Sequence, residues 1–115
     1  MWQMGDEMSK HYVKPESCRP PHKVTHPEAV DDLYESILNE GWRVGAPSLV
    51  GYIDDHKIQL LSGTHRHAAA SRISGFRIPV YIINKSAVQH SVGNPLAWKR
   101  IMELGDEEGT MGIFS

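Results

Sequence analysis

Four consecutive residues, Gly63-Thr64-His65-Arg66, join a permissive backbone to a hydroxyl, an imidazole and a guanidinium. Together these groups can hold a phosphate. The apolar run 58–61 ahead of them reads as a buried strand, and Ala68-Ala69-Ala70 with Ile73 behind them reads as a helix. Gly63 punctuates the junction and Thr64 is the expected N-cap. Amides in a first helical turn have no partner inside the helix, and the end behaves like roughly half a positive charge, so an anion is stabilised there. Glycine lets a ligand approach the backbone closely. The planar fork of Arg66 matches phosphate oxygens, and His65 adds a donor. A strand–glycine–helix junction also occurs without any ligand, its Arg and His simply solvated, so the reading needs support from the rest of the chain.

Three other groupings offer chemistry. Asp54 and Asp55 would suit a metal or an acid–base pair, but Asp54-Asp55-His56-Lys57 lies between two short apolar runs, where such residues form turns. His65-x-His67, completed by His56 or His22, has the donors of a zinc site. Residues two apart on a helix point away from each other, so no metal site is expected. Cys18 is the only cysteine; it excludes an intrachain disulfide and reads as a small buried hydrophobe in a reducing cytosol.

The elements that position these residues follow from apolar spacing. Val30, Leu33, Tyr34, Ile37 and Leu38 recur at helical intervals, which predicts a helix over 28–40, with Thr25 and Glu28 at capping-box spacing and Pro27 in the first turn. A hairpin is predicted from strands 48–53 and 58–62, followed by a helix over 64–74 and a strand over 78–83. That strand–helix–strand order suggests a crossover with parallel pairing, or a mixed sheet. His11-Tyr12-Val13 reads as a short first strand, and the proline-rich 14–21 as an extended connection. Asn94-Pro95 starts a last helix, which Gly105 is expected to stop. The expectation is a single small α+β (α/β) domain over 11–105, a short mixed sheet with about three helices, between a loose arm 1–10 and a mobile tail 106–115.

With 115 residues, 40% hydrophobic and 23% charged, the chain has the composition of one globular domain. A net charge of −2 gives no bulk field toward nucleic acid. No apolar run is long enough to span a bilayer and the N-terminus lacks a signal-peptide pattern, so a cytoplasmic protein without a membrane partner is expected.

The order of parts resembles a known family. The helix ending Ser36-Ile37-Leu38-Asn39-Glu40-Gly41, then Pro47 entering a strand, resembles the N-terminal domain of the ParB proteins. Ile58-Gln59-Leu60-Leu61-Ser62-Gly63-Thr64-His65-Arg66-His67-Ala68-Ala69, with Gly75 and Ile78-Pro79-Val80, is similar to that family's "Gly-Glu-Arg-Arg … Ala-Ala … Gly … Ile-Pro-Val" block. It is equally similar to the "Gly-Cys-His-Arg" block of sulfiredoxin, which shares the fold. The resemblance runs from about Val13 to Ile83. It implies a nucleotide site, for ATP or another nucleoside triphosphate with Mg²⁺, whose phosphates lie on Gly63, Thr64, His65 and Arg66. Pro47 would flank the nucleotide and Arg19 matches an arginine of the family's first conserved box. Glu16 and His65 are the candidate catalytic residues.

The resemblance implies terminal-phosphate transfer or hydrolysis, with a non-catalytic nucleotide-sensing module or a ParB-like nuclease as alternatives. Expected partners are the nucleotide, a small-molecule or protein acceptor, weakly held nucleic acid and a second copy of the chain. The partition proteins continue into helix-turn-helix and dimerisation domains that these 115 residues do not hold, so centromere reading is not expected. Thr64 stands where sulfiredoxin has its nucleophilic cysteine, so sulfinic-acid repair is not expected either.

A threonine hydroxyl attacks only with an adjacent base, and at a helix start it serves better as a cap or a phosphate contact. Thr64→Ser is therefore expected to leave ligand affinity within a few-fold of wild type. A covalent adduct trapped on Thr64 and seen by mass spectrometry would overturn this.

Overall fold

The computed structural model describes residues 9–42 and 48–114. Strand β1 (Ser9–Val13) leads into a 3₁₀ turn (Pro15–Ser17), strand β2 (Cys18–Arg19) and helix α1 (Pro27–Glu40). Strands β3 (Leu49–Asp54) and β4 (Lys57–Leu60), helix α2 (Thr64–Ser71) and strand β5 (Ile78–Ile83) follow. Helices α3 (Lys85–Ser91) and α4 (Pro95–Phe114) complete the described chain.

The five strands form one mixed sheet in the order β1-β5-β3-β4-β2. β3 and β4 are the predicted hairpin, antiparallel from Gly51↔Leu60 to Asp54↔Lys57. Asp55 and His56 form its two-residue turn with φ of 52° and 66°, the left-handed values that match the twist of paired strands. β5 runs parallel to β3, in register from Leu49↔Val80 to Tyr52↔Ile83, which makes the sheet mixed, one of the two arrangements the strand–helix–strand order left open. One side of β4 is taken by its hairpin partner. The other side is taken by Cys18 and Arg19, which pair with Ile58 and Gln59. β1 closes the opposite edge against β5.

Both faces of the sheet are covered. On one face Leu49, Ile58, Leu60, Ile78, Val80 and Ile82 pack with Cys18 and Ala70. Ala69 and Ala70 are wholly buried, so α2 lies close to the strands, and α1 packs on α2 through Val30, Ile37 and Ala69. On the other face Val50 and Ile83 meet Ile101 of α4. β3 and β5 are therefore apolar at nearly every position, as strands buried on both faces are.

Several boundaries differ from expectation for identifiable reasons. β1 begins at Ser9, inside the expected arm. The 3₁₀ turn begins at Pro15 because a first helical position needs no amide hydrogen. His26, not Thr25, is the N-cap of α1, and no side chain on that residue caps it. Leu38 is exposed because it lies about 80° round the helix from Val30, at the rim of the apolar stripe. α2 stops at Ser71 because its end tightens into three-residue bonds, Arg72 N–H to Ala69 O and Ile73 N–H to Ala70 O. α3 was not expected; its apolar anchor in the core is Val88 alone, too little for a periodic signal. Asn94 starts α4 as predicted, its Oδ1 accepting the Ala97 N–H at 3.2 Å. The helix then runs past Gly105 to Phe114, since a glycine ends a helix only by leaving helical φ. The described residues thus form four α-helices where about three were expected.

Two features make stability predictions. Gly63 has φ of 86°, and a Cβ there would overlap Leu49 Cδ2, while Gly75 has φ of 78° with nothing within 4 Å of an added Cβ. Gly63→Ala is expected to cost about 2–4 kcal/mol from left-handed strain plus overpacking, and Gly75→Ala about 1 from strain alone. Urea unfolding of both variants checks the difference.

Cys18 is buried, and that burial pushes its thiol up from 9.0 to about 11, with the Lys57 charge pulling slightly the other way. The unfolded chain therefore releases this proton first. The thiol's contribution is intact below pH 9 and is lost as pH rises from about 9 to about 11. Unfolding midpoints of wild type and Cys18→Ala should converge across that window.

Candidate functional site

The site is built where β4 hands over to α2. The strand delivers Leu60 to full burial, the chain passes Leu61 and Ser62, and Gly63 turns it in the left-handed conformation (φ 86°, ψ 30°) directly into α2. Gly63, not Thr64, is thus the N-cap residue, and Thr64 is the first helical residue. Because Gly63 is pressed onto Leu49, the start of α2 lies beside the start of β3. An open cleft of 690 Å³ lies there.

One wall of the cleft is the expected quartet, Gly63, Thr64, His65 and Arg66. Thr64 is only 3% exposed, and its Oγ1 is buried with no hydrogen-bond partner among the described residues. Such an orphan hydroxyl costs about 1–3 kcal/mol unless a ligand or water engages it. The Arg66 guanidinium lies 5.4 Å from the centre of the Trp42 ring, a cation–π contact beside the cleft. Ser48, Ser62 and apolar Leu33, Leu49 and Met102 complete that side.

The rest of the lining comes from the segment just ahead of α1, which the sequence did not assign to the phosphate site. His22, Thr25 and His26, just ahead of α1, line the cleft and gather on His65. The His65 ring centre is 6.3 Å from that of His22 and 5.7 Å from that of His26. His65 Nε2 accepts the backbone N–H of His26 at 3.1 Å and that of Thr25 at 3.3 Å. A nitrogen that accepts two N–H groups carries no proton, so neutral His65 is protonated on Nδ1. Expected as a phosphate donor and catalytic residue, His65 thus spends its Nε2 on holding the 22–26 segment. No local pattern could have revealed this, because the partners are 39 and 40 residues apart.

The other expected residues lie elsewhere. The Arg19 guanidinium binds Asp54, to the carbonyl at 2.9 Å and to Oδ2 at 3.1 Å. Lys85 Nζ binds Asp54 Oδ1 at 2.7 Å. Hydrogen bonding and charge from Lys85, then from Arg19, hold the Asp54 carboxyl below the usual carboxylate range. Asp54 ends β3 and Leu49 starts it, so this cluster is roughly 16 Å from the cleft by strand rise. Arg19 is therefore not brought to the quartet. Glu16 is not either: it lies in the 3₁₀ turn, where its carbonyl accepts Lys57 Nζ at 2.8 Å at the hairpin end of β4. Pro47 lies outside the described residues. His67 turns away from His65, as residues two apart on a helix must, and its Nε2 donates to Pro15 O at 2.8 Å. Among the described residues no three His, Cys, Asp or Glu side chains group to hold a metal. No described helix is long and apolar enough to cross a membrane.

Comparison with known proteins gives relatives by structure only. No family model matches the chain and no curated protein matches it in sequence. Sulfiredoxin from Arabidopsis thaliana is similar with a TM-score of 0.56 and 22% identity over 72% of this chain and 96% of that one. The C-terminally truncated chromosome-partitioning protein ParB from Caulobacter crescentus, complexed with CTP-γ-S, is similar with a TM-score of 0.55 and 18% identity, over 90% of this chain and 71% of that one. C-terminally truncated SbnI from Staphylococcus aureus has a TM-score of 0.54 and 14% identity over 75% of this chain, which spans 34% of it. A mixed five-stranded sheet flanked by helices, with the glycine-led turn from β4 into α2 at its end, gives this chain the ParB/sulfiredoxin-like fold.

Proposed function

We propose that this protein binds a nucleoside triphosphate, ATP or another such as CTP, with its phosphates at the N-terminus of α2. The observation that carries the reading is the Thr64 hydroxyl, buried and without a partner among the described residues at the one turn where glycine bares the helix amides. A phosphate oxygen satisfies that hydroxyl and the unpaired amides together. The stacked Arg66 guanidinium supplies the compensating charge. The structurally similar ParB was solved with a bound CTP analogue, which supports the same class of ligand.

Transfer or hydrolysis of the terminal phosphate is the activity such a site supports, because that reaction needs positioning and charge neutralisation more than a covalent nucleophile. Mg²⁺ would arrive on the phosphates and neutralise developing charge. The residues lining the cleft, among those described, include no carboxylate to act as a base. That observation favours the second reading, a nucleotide-sensing module whose bound state a protein partner reads. Release of labelled phosphate from ATP or CTP separates the two.

Arg66→Ala is expected to weaken triphosphate binding by about ten- to a hundredfold, the value of one charge-assisted contact. Arg66→Lys should recover only part, since an ammonium cannot make the forked contact. Arg72 provides the control: it lies past the end of α2, paired to Asp31 at 2.9 Å. Calorimetric titration decides it; equal affinity of Arg66→Ala and Arg72→Ala would remove the site from α2.

A further inference from the structure

The 22–26 segment is held over the cleft by a single nitrogen. Helix α1 receives no side-chain cap from its own N-cap residue His26. Instead the Thr25 and His26 amides both converge on His65 Nε2, and Thr25 Oγ1 approaches the same atom at 3.4 Å. A side chain of α2 thus holds the two amides that lead into α1, whereas an Asp or Ser cap bonds amides inside the first turn. The consequence for the cleft is geometric. With its amides tied to α2, the segment turns His22 and His26 into the wall facing Thr64 and Arg66. His22 Nδ1 donates to the Lys23 carbonyl at 2.8 Å, because a carbonyl can only accept, and this leaves its Nε2 for another partner. His26 Nδ1 meets Thr25 Oγ1 at 2.9 Å, which likewise leaves its Nε2.

We propose that His22 and His26 are ligand-contacting residues of the cleft, that His65 is the positioning residue that clasps them there, and that the site is thereby selective for a polyphosphate over a single phosphate. This rests on the phosphate reading above and goes beyond it. The turn at Gly63-Thr64 offers its amides and hydroxyl to one phosphoryl group, and the 690 Å³ cleft is far larger than that group needs. The remaining space is bounded by the His22 and His26 rings, which can contact a second phosphate there. The selectivity is set across the fold: helix α2 holds the first phosphate and the strap ahead of α1 holds the next. The clasp ties that strap to α2 at the cleft, so its loss is expected to disperse the histidine wall while the quartet stays intact.

The test uses inorganic triphosphate and orthophosphate as probes, titrated by calorimetry onto wild type, a His22→Ala/His26→Ala double variant, His65→Ala and His65→Gln. Amide spectra of Thr25 and His26, together with the melting temperature of each variant, report the clasp and the fold. Wild type is expected to prefer triphosphate. The double variant and His65→Ala should each lose about tenfold of that preference, the weight of one charge-assisted contact. His65→Ala should also shift the Thr25 and His26 amide resonances. His65→Gln places an amide oxygen near the former Nε2 position and should restore both the resonances and the selectivity. Unchanged selectivity in the folded double variant removes the histidines from the site. Moved amides with unchanged selectivity in His65→Ala reduce the clasp to a structural contact. Loss of binding in Arg66→Ala alongside either result keeps the nucleotide reading and discards only this proposal, whereas wild type that binds neither probe discards both.

Discussion

Gly63 pressed against Leu49 is the contact on which the site depends. The turn takes a left-handed backbone, and the space a side chain would occupy is filled by a leucine that is itself 2% exposed. A residue with a Cβ would have to push the strand and helix apart at the point where β4, α2 and the start of β3 converge. Because nothing intervenes, the buried strand becomes a helix in three residues, and the first amides of α2 open at the end of the sheet. Ala69 and Ala70 extend the same closeness along the helix, since their small side chains let α2 lie on Leu60 and its neighbours.

Charge is distributed along the sheet in the same sense. At the hairpin end, Asp54 is shared by Arg19 and Lys85, so both cations there are tied to one carboxylate. At the other end, Arg66 lies over the indole of Trp42, with Thr64, His65 and the helix amides beside it and His22 and His26 completing the lining. The overall charge of −2 therefore says little about the cleft. A local field depends on where the fold places its charges, which the net charge does not report.

Histidine placement shows how far one residue type can diverge in role. His67 ties α2 to the 3₁₀ turn through the Pro15 carbonyl, and His56 accepts a left-handed turn between paired strands. His65 accepts two amides from the segment ahead of α1. Each role is set by the carbonyl, turn or amide it meets, and not by a histidine motif. The same holds for Arg19, whose guanidinium meets the hairpin's carboxylate before it can reach an anion.

Local chemistry written in the chain was legible without the structure. The period of Val30, Leu33, Tyr34 and Ile37 specified α1, two apolar runs about a polar turn specified the hairpin, and Asn94-Pro95 specified the start of α4. Glycine between an apolar run and an alanine-rich one located the strand-to-helix turn at Gly63, because φ preference and burial period are properties of neighbouring residues. What the tertiary structure alone decided joins residues far apart in sequence. β5 pairs with β3 while Cys18 and Arg19 pair with the other side of β4, a strand order that no window of sequence contains. α3 came from the packing of one valine, below any periodic signal. The cleft's second wall came from His65 finding the amides of Thr25 and His26 some forty residues away. A hydrogen bond between distant residues depends on the path of the whole backbone between them, and that path is fixed only when the sheet has closed.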